Sequence, residues 1–356
     1  MKIVVAMSGG VDSSVAAALL ADQGHEVIGL SMQLYDQSDP HTTFGSCCSL
    51  DDLHDARRVA GAIGIPHYIL NLERQFDEHV ISNFVREYAA GRTPIPCAHC
   101  NSDLKFAELA ARAEGFGAEA VATGHYARVE HDAARGRYLL KRGRDRAKDQ
   151  AYFLFSLTQA QLARAVFPVG DVSKDVVRDY ARRFNLPVAD KPDSQEICFV
   201  PDDDYAAFVS RRAPGVEQAG AIVDEAGRRV GTHQGVHRFT VGQRKGLGLS
   251  ASPDGRPRYV IALRPADQQV VVGPRAALER TTLQASGVNW IADRPCGPLR
   301  VTAQIRHRHE PAPAIVRAAG DGHADVVFDV PQVAITPGQA VVFYDGEVVV
   351  GGGWID

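Results

Sequence analysis

Three short stretches of the chain carry residue types that do chemistry. Ser8, Gly9, Gly10, Val11, Asp12 and Ser13 follow an apolar run, KIVVAM, and precede a helical pattern, VDSSVAAALLADQ. Glycines at such a junction let the backbone turn sharply and approach a phosphate closely. The free N–H groups at the helix start add positive potential. Asp12 can hold a divalent cation on the phosphates, and the Ser8 and Ser13 hydroxyls can donate to phosphate oxygens. The loop lacks the Gly-Lys-Ser/Thr of a Walker A loop, which argues against ordinary γ-phosphate transfer. The other two stretches each hold a cysteine in a polar, sharply turned context: Cys100 in GRTPIPCAHCN (91–101) and Cys198 in DKPDSQEICF (190–199). Neighbouring His, Arg and Lys stabilise a thiolate and so make it a nucleophile.

These groups need a frame. Residues 2–126 alternate strand and helix patterns: KIVVAM, the helix ending at Gly24, EVIGLSMQLY, a helix over about 51–63, PHYILNL, and EAVATGHY. That alternation predicts βαβ units and a parallel sheet. A first strand apolar almost throughout fits a sheet covered on both faces. In the 51–63 helix, Leu53, Ala56, Ala60 and Ile63 share one stripe, with Ser49 placed to cap the start and Gly64 the end. From about residue 220 short alternating runs separated by glycine turns predict an all-β region of small barrels. The expected division is 1–205 for the nucleotide-binding catalytic domain, 206–282 for a central β-rich domain and 283–356 for a C-terminal β-barrel.

The 356 residues contain 45% hydrophobic and 23% charged side chains, ordinary for a globular chain of two or three domains. A net charge of −4 gives no global pull on a polyanion, so nucleic acid must be met by local patches. The opening apolar run is too short for a signal peptide or a membrane span, which predicts a cytoplasmic protein with no membrane partner. Six cysteines without a secretion signal favour metal or redox chemistry over a disulfide scaffold. Cys47 and Cys48 are adjacent and read as loop or gate residues, because a bond between neighbours is strained. Cys296 reads as incidental.

Taken together, the separated motifs resemble the tRNA-specific 2-thiouridylase family. They are SGGVDSSVAA (8–17), CCSLDD (47–52), GRTPIPCAHCN with KF following (91–106), TGHYAR (123–128), KDQAYFL (148–154), DKPDSQEICF (190–199) and FTVGQRKGLG (239–248). The loop by itself resembles that of the N-type ATP pyrophosphatases, or PP-loop enzymes, which hold pyrophosphate and transfer AMP to a substrate oxygen. The resemblance implies an adenine nucleotide alpha hydrolase-like N-terminal domain followed by two small β-rich domains.

It also implies a reaction. ATP, with Mg2+, adenylates O2 of the wobble uridine, position 34, in tRNA. A persulfide on Cys198, loaded by a sulfur-donor protein such as a cysteine desulfurase or sulfur relay, then attacks C2. Cys100 attacks the S–S bond, which releases 2-thiouridine, AMP and pyrophosphate and leaves a Cys100–Cys198 disulfide. The chemistry is coherent, because a carbonyl oxygen leaves poorly until activated and a persulfide is nucleophilic at neutral pH. By the same resemblance Ala6, Met7, Ser8, Gly9, Gly10, Val11, Asp12, Ser13, Met32 and Gly124 contact ATP. Met32 and Gly124 follow strands at whose carboxyl ends ligands bind, although Met32 alone reads equally as core.

One position departs from the pattern of many members, which carry an aspartate three residues before the nucleophilic cysteine; here it is Cys97. That removes a carboxylate from proton transfer. It leaves open a [4Fe-4S] cluster on Cys97, Cys100 and Cys198, with one open iron, and less readily a closed zinc site, which wants a fourth ligand such as His99, Cys47 or Cys48.

The RNA contacts are also carried over. Ile95, Pro96 and Cys97 lie against the flipped wobble base, and Lys148, Asp149 and Gln150 match a tRNA-contacting segment. The latter closes the most basic stretch of the chain (128–148), which reads either as a solvated hairpin or, with that match, as a phosphate-binding patch. Arg306 and His307 form a second candidate patch. Gln243, Arg244 and Lys245 read either as RNA donors or as a tight turn, and His125 as structural. Two rivals stand beside the thiolase: another PP-loop adenylating synthetase, which needs no cysteine pair, and a non-catalytic nucleotide-dependent RNA-binding protein.

Overall fold

A computed structural model describes residues 1–35, 49–193, 197–200, 203–249 and 255–356. Cys47 and Cys48 lie outside the described residues. The N-terminal part contains β1 (Lys2–Ala6), β2 (Glu26–Gln33), β3 (His67–Asn71), β4 (Ala120–Ala122), a hairpin β5 (Ala127–Asp132) and β6 (Arg137–Arg142), and β7 (Ala165–Val166). Five of these form a parallel sheet in the order β3-β2-β1-β4-β7. In β1, Ile3 and Val5 pack into one apolar cluster while Val4 and Ala6 pack into another. Side chains alternate across a strand, so an apolar strand fills both layers at once.

Helix α1 (Val11–Asp22) leaves β1 through the glycine loop, and α2 (Leu50–Ile63) begins at Ser49, whose hydroxyl accepts from the Asp52 amide in a full capping box. Gly64 ends α2 in the left-handed region at φ 75°, where glycine has no side chain to clash. Leu53, Ala56, Val59 and Ala60 are the buried stripe, and Ile63 packs beside it.

The central part is a four-stranded sheet of β8 (Gly220–Val223), β9 (Arg229–His233), β10 (Tyr259–Arg264) and β11 (Gln269–Gly273), in the order β10-β11-β8-β9. Here Gln243 donates to the Lys245 carbonyl and accepts from the Thr240 amide, which makes the Gln243–Lys245 segment a tight turn with Arg244 and Lys245 exposed.

The last part contains β12 (Glu279–Trp290), β13 (Leu299–Gln304), β14 (Ala312–Ala319), β15 (His323–Val333), β16 (Ala340–Asp345) and β17 (Val348–Ile355). They pair antiparallel in the order β12-β15-β14-β13-β16-β17, and β12 also pairs with β17, so the barrel is closed. Closure removes the exposed edges a six-stranded sheet would otherwise present. The division expected at 282 falls inside β12, whose first residues already pair with β15.

The basic stretch folds as a hairpin, with Arg135, Arg144 and Arg146 exposed. Hairpin β5–β6 adds to the barrel by pairing β6 with β17, Leu140 opposite Val349 and Lys141 opposite Val348. Its cations serve this junction. Arg128 reaches Glu347 at 2.7 Å, Arg146 reaches Glu347 at 3.1 Å, and Arg137 donates to the carbonyls of Trp290 and Ile291. Lys141 pairs with Glu130, and Arg142 pairs with Asp149 at 2.6 Å. Among the described residues no helix is long and apolar enough to cross a membrane.

Candidate active site

The phosphate loop is shaped by two glycines that admit no substitute. Gly9 has φ 75°, and a Cβ there would lie 2.2 Å from the Asp52 carbonyl oxygen. The loop therefore packs against the first turn of α2, and only glycine permits it. At Gly124, just after β4, a Cβ would meet the Ser13 amide nitrogen at 2.5 Å. Gly124 thus presses backbone to backbone against the start of α1. Gly10 is the N-cap of α1 and gives no side-chain cap, so the first-turn amides retain the anion-attracting character of a helix start.

The residues expected at the nucleotide divide by environment. Ala6, Met7 and Val11 are buried, and Met7 uses its amide on the Leu30 carbonyl and its carbonyl on the Ser31 hydroxyl. Met32 packs in the core among Ile28, Leu30 and Leu34. Ser8 is exposed, and its hydroxyl lies 3.3 Å from that of Ser13. The Ser13 and Ser14 hydroxyls turn back to the Gly10 carbonyl. Asp12 does not stand open for a cation. Lys174, on the helix Lys174–Arg183, donates to both its oxygens at 2.8 and 2.9 Å, and the Tyr126 hydroxyl donates to it at 2.8 Å.

Two lysines that the motif reading left without a role tie this loop to the segment leading to Cys198. Lys174 also reaches Asp193 at 2.7 Å, and Lys148 reaches the other Asp193 oxygen at 2.7 Å. Burial raises the Asp193 carboxyl, but the two lysines outweigh it and hold the group below its ordinary value. Lys191 donates to the Gly9 carbonyl at 3.1 Å and to Asp52 and Asp55 at 2.6 Å each. The signal was present, since Lys191 and Asp193 both stand in DKPDSQEICF, but their partners are far away in sequence.

Of Lys148, Asp149 and Gln150, only Asp149 is buried; the other two are half-buried. Asp149 is buried and accepts from Arg142, from the Gly143 amide and from the Ala151 amide. Gln150 exchanges hydrogen bonds with the Tyr126 backbone at 3.0 Å in both directions, which steadies the ring that holds Asp12. The Thr123 hydroxyl lies 2.7 Å from His125 Nδ1; burial, aided by Lys105, pushes that imidazole down to about 3, so His125 is neutral and structural.

The cysteine side of the site lies along one continuous helical stretch. Pro96 starts a helical turn, Pro96–His99, followed by a wider π turn, Cys100–Lys105, and then the helix Phe106–Gly115. Proline suits a first turn, where its missing N–H has no partner to lose. Cys97 is exposed, Ile95 and Pro96 are buried, and Cys100 is 8% exposed inside an apolar cluster against which Ile197 and Cys198 also pack. Among the described residues no three His, Cys, Asp or Glu side chains form a group able to hold a metal ion, so nothing supports a cluster on Cys97, Cys100 and Cys198.

The barrel reaches the same region. The His99 ring stacks on Trp354 at 4.4 Å and 5°, and pairs with Asp103 at 2.8 Å. A cavity of about 200 Å³ opens beside it, lined by Glu87, Arg92, Ile95, His99, Ser286 and Trp354 among others. Arg306 and His307 are exposed past the end of β13; the His307 ring lies 4.5 Å from Phe153, whose carbonyl accepts from Asn101, the neighbour of Cys100.

Comparison with known proteins follows this layout. Residues 1–202 match the tRNA methyl transferase HUP domain, residues 207–274 the tRNA methyl transferase PRC-barrel domain and residues 280–355 the aminomethyltransferase beta-barrel domain. A protein of Solibacter usitatus named tRNA-specific 2-thiouridylase MnmA is 54% identical, over 99% of both chains. Its namesakes in Geotalea uraniireducens (52%, 100% of this chain and 95% of that one) and Heliobacterium modesticaldum (51%, 99% and 92%) are similar along their length too. Among solved structures, a 4-thiouridine synthetase–RNA complex with bound ATP is 17% identical with a TM-score of 0.35, covering 60% of this chain and 50% of that one. The NMN synthetase of Francisella tularensis is 17% identical with a TM-score of 0.34, covering 54% and 66%. Scores this low leave the assignment to the sequence relatives. With relatives of one name at more than half identity along the whole chain, and three family models matched in order, the chain belongs to the tRNA-specific 2-thiouridylase family.

Proposed function

We propose that the protein is an ATP-dependent tRNA sulfurtransferase that converts the wobble uridine, position 34, to 2-thiouridine. The observation that carries this reading is the double tie between its two chemistries: Lys191 and the Lys174–Asp193 pair fasten the segment leading to Cys198 onto the phosphate loop. An adenylating synthetase that transfers no sulfur has no use for a cysteine segment anchored there, and a passive RNA-binding protein has none for either.

In this reading the α1 amides and Ser8 hold the ATP phosphates, while Gly9 and Gly124 keep the loop close. Magnesium bound with ATP offsets phosphate charge. Asp12 is the side chain to hold it, because Mg2+ commonly takes one or two carboxylates and completes its shell with phosphate and water. Lys174, which donates to both Asp12 oxygens, would have to give up one of them to the ion while keeping Asp193. Uridine O2 attacks the α-phosphorus, pyrophosphate leaves, and the O-adenylated C2 becomes open to substitution. The terminal sulfur of a Cys198 persulfide attacks C2. The Cys100 thiolate then attacks the Cys198 sulfur, cleaving the S–S bond, releasing thiolated RNA and leaving the two cysteines joined, with AMP expelled. The apolar cluster around Cys100 keeps water from competing for the activated carbon.

Ile95, Pro96 and Cys97 line the approach to the uridine, and Arg306 and His307 contact the tRNA backbone from the barrel. Lys148, Asp149 and Gln150 act from behind, by bracing Asp193, the hairpin and Tyr126. A persulfide-bearing donor protein loads Cys198, and the protein works in the cytoplasm. The test is RNA-dependent AMP formation. Cys198→Ser retains adenylation and loses thiolation, whereas Asp12→Asn lowers both about 100-fold, as expected when a charge-stabilising group at transferring phosphates is removed. Equal loss of both activities in Cys198→Ser contradicts the division of labour.

A further inference from the structure

We propose that Cys97 is a resolving thiol that moves the disulfide left by each turnover from the Cys100–Cys198 position to the exposed end of the Cys97–Cys100 pair, freeing Cys198. This rests on the sulfurtransferase reading above, which leaves Cys100 and Cys198 oxidised and the enzyme unable to accept sulfur again until they are reduced. Cys100 is 8% exposed, and Cys198 packs against the same cluster, flanked by Phe199 at 2% and Val200 at 1% exposure. Of these two sulfurs only that of the half-buried Cys198 is open to a partner; that of Cys100 is shielded, and disulfide exchange needs access to the attacked sulfur.

Cys97 supplies that access. It is exposed, one helical turn before Cys100, and the Cys100 amide donates to the Cys97 carbonyl. Helix rise and radius place α-carbons three residues apart at about 5 Å, inside the range that a disulfide spans. The intervening side chains leave the path open: Ala98 is small and buried, and His99 turns to Trp354 and Asp103. Cys-X-X-Cys is also the spacing in which thiols exchange readily.

The exchange balances. The Cys97 thiolate attacks the Cys100 sulfur of the Cys100–Cys198 bond, a Cys97–Cys100 bond forms, and Cys198 leaves as thiolate, ready for new sulfur. An external dithiol protein then reduces the exposed Cys97–Cys100 bond with its own two electrons and becomes the disulfide. The position where the family resemblance led to the expectation of a carboxylate thus gains a redox role in this chain.

The test uses the full-length protein with substrate tRNA, ATP, magnesium and a small-molecule persulfide donor. After one turnover without dithiol, thiols are blocked in acid and disulfides mapped by mass spectrometry. Trypsin leaves Cys97 and Cys100 together on peptide 93–105 and Cys198 on another, so the two bonds differ in mass and connectivity. The expected wild-type product is the bond within 93–105. Cys97→Ser and Cys97→Asp stop at the cross-link to Cys198, and with a dithiol oxidoreductase added their later turnovers fall about tenfold relative to their own first. A wild-type protein that retains the Cys100–Cys198 cross-link, or thiolates RNA with neither bond, overturns the proposal while leaving the sulfurtransferase reading intact in the first case. Absence of both thiolated RNA and disulfide overturns both.

Discussion

The ammonium of Lys191 lies 3.1 Å from the carbonyl oxygen of Gly9, joining the segment that leads to Cys198 to the loop expected to hold phosphate. The same ammonium pairs with Asp52 and Asp55, of which Asp52 is almost fully buried. Burial alone lowers the Lys191 value and raises that of Asp55, but the opposite charges win in both cases: Lys191 is raised and Asp55 lowered.

The pH dependence follows from those directions. The lowered Asp55 contributes stability above its ordinary value of 3.8, which is lost as pH falls through the folded value. The raised Lys191 contributes below 10.5, and that is lost as pH rises through its folded value. The contribution is therefore complete between them. Lys191→Gln leaves Asp52 uncompensated, and we expect a loss of about 2 kcal/mol in chemical denaturation at pH 7, discounted from a fully buried pair because Lys191 retains some solvent. A loss of stability equal at pH 3 and pH 7 contradicts the pairing.

Gly9→Ala combines a left-handed φ with a methyl group driven against the Asp52 carbonyl. The strain alone is about 1–2 kcal/mol, and the clash forces the loop off α2. Expected is AMP formation down at least about tenfold with ATP affinity weakened; wild-type kinetics contradict the packing described.

Burial pushes the His125 imidazole down to about 3 in the fold, against 6.5 in an open chain. Between those values the unfolded state binds more protons, so stability falls as pH drops below 6.5, by at most about 1.4 kcal/mol per unit from this residue. Denaturation midpoints of wild type and His125→Asn measured from pH 7 to 4.5 test it: the variant's slope is shallower. An identical slope contradicts a neutral His125.

Much of this arrangement was legible in the sequence, and the gaps have one cause. The parallel sheet follows from a first strand apolar on both faces, α2 from Ser49, Asp52 and Gly64, and the phosphate loop from two glycines at a strand-to-helix junction. Each signal is local. Lys174 and Lys191 act across more than a hundred residues on Asp12 and Gly9, and no spacing announces such a pair. The stretch 128–148 carries partners the sequence did not announce, for the same reason. Its arginines look like an RNA patch until Glu347 and the Trp290 carbonyl, distant in sequence, are brought to them by strand pairing.

That placement is testable against an RNA role. Arg142→Ala strands the buried Asp149 and removes the guanidinium 4.7 Å over the Tyr344 ring, and we expect about 3 kcal/mol of destabilisation. Arg128→Ala leaves the salt dependence of tRNA binding unchanged, whereas loss of one phosphate contact lowers the slope of log K against log salt by about one. A lowered slope makes Arg128 an RNA contact.

The most direct measurement is nucleoside mass spectrometry of tRNA after incubation with the purified protein, ATP, magnesium and a persulfide donor. The account predicts oxygen-to-sulfur exchange at the wobble uridine that requires ATP and disappears in both Cys100→Ser and Cys198→Ser. Thiolation that survives either substitution, or AMP formation with no sulfur in the RNA, contradicts it.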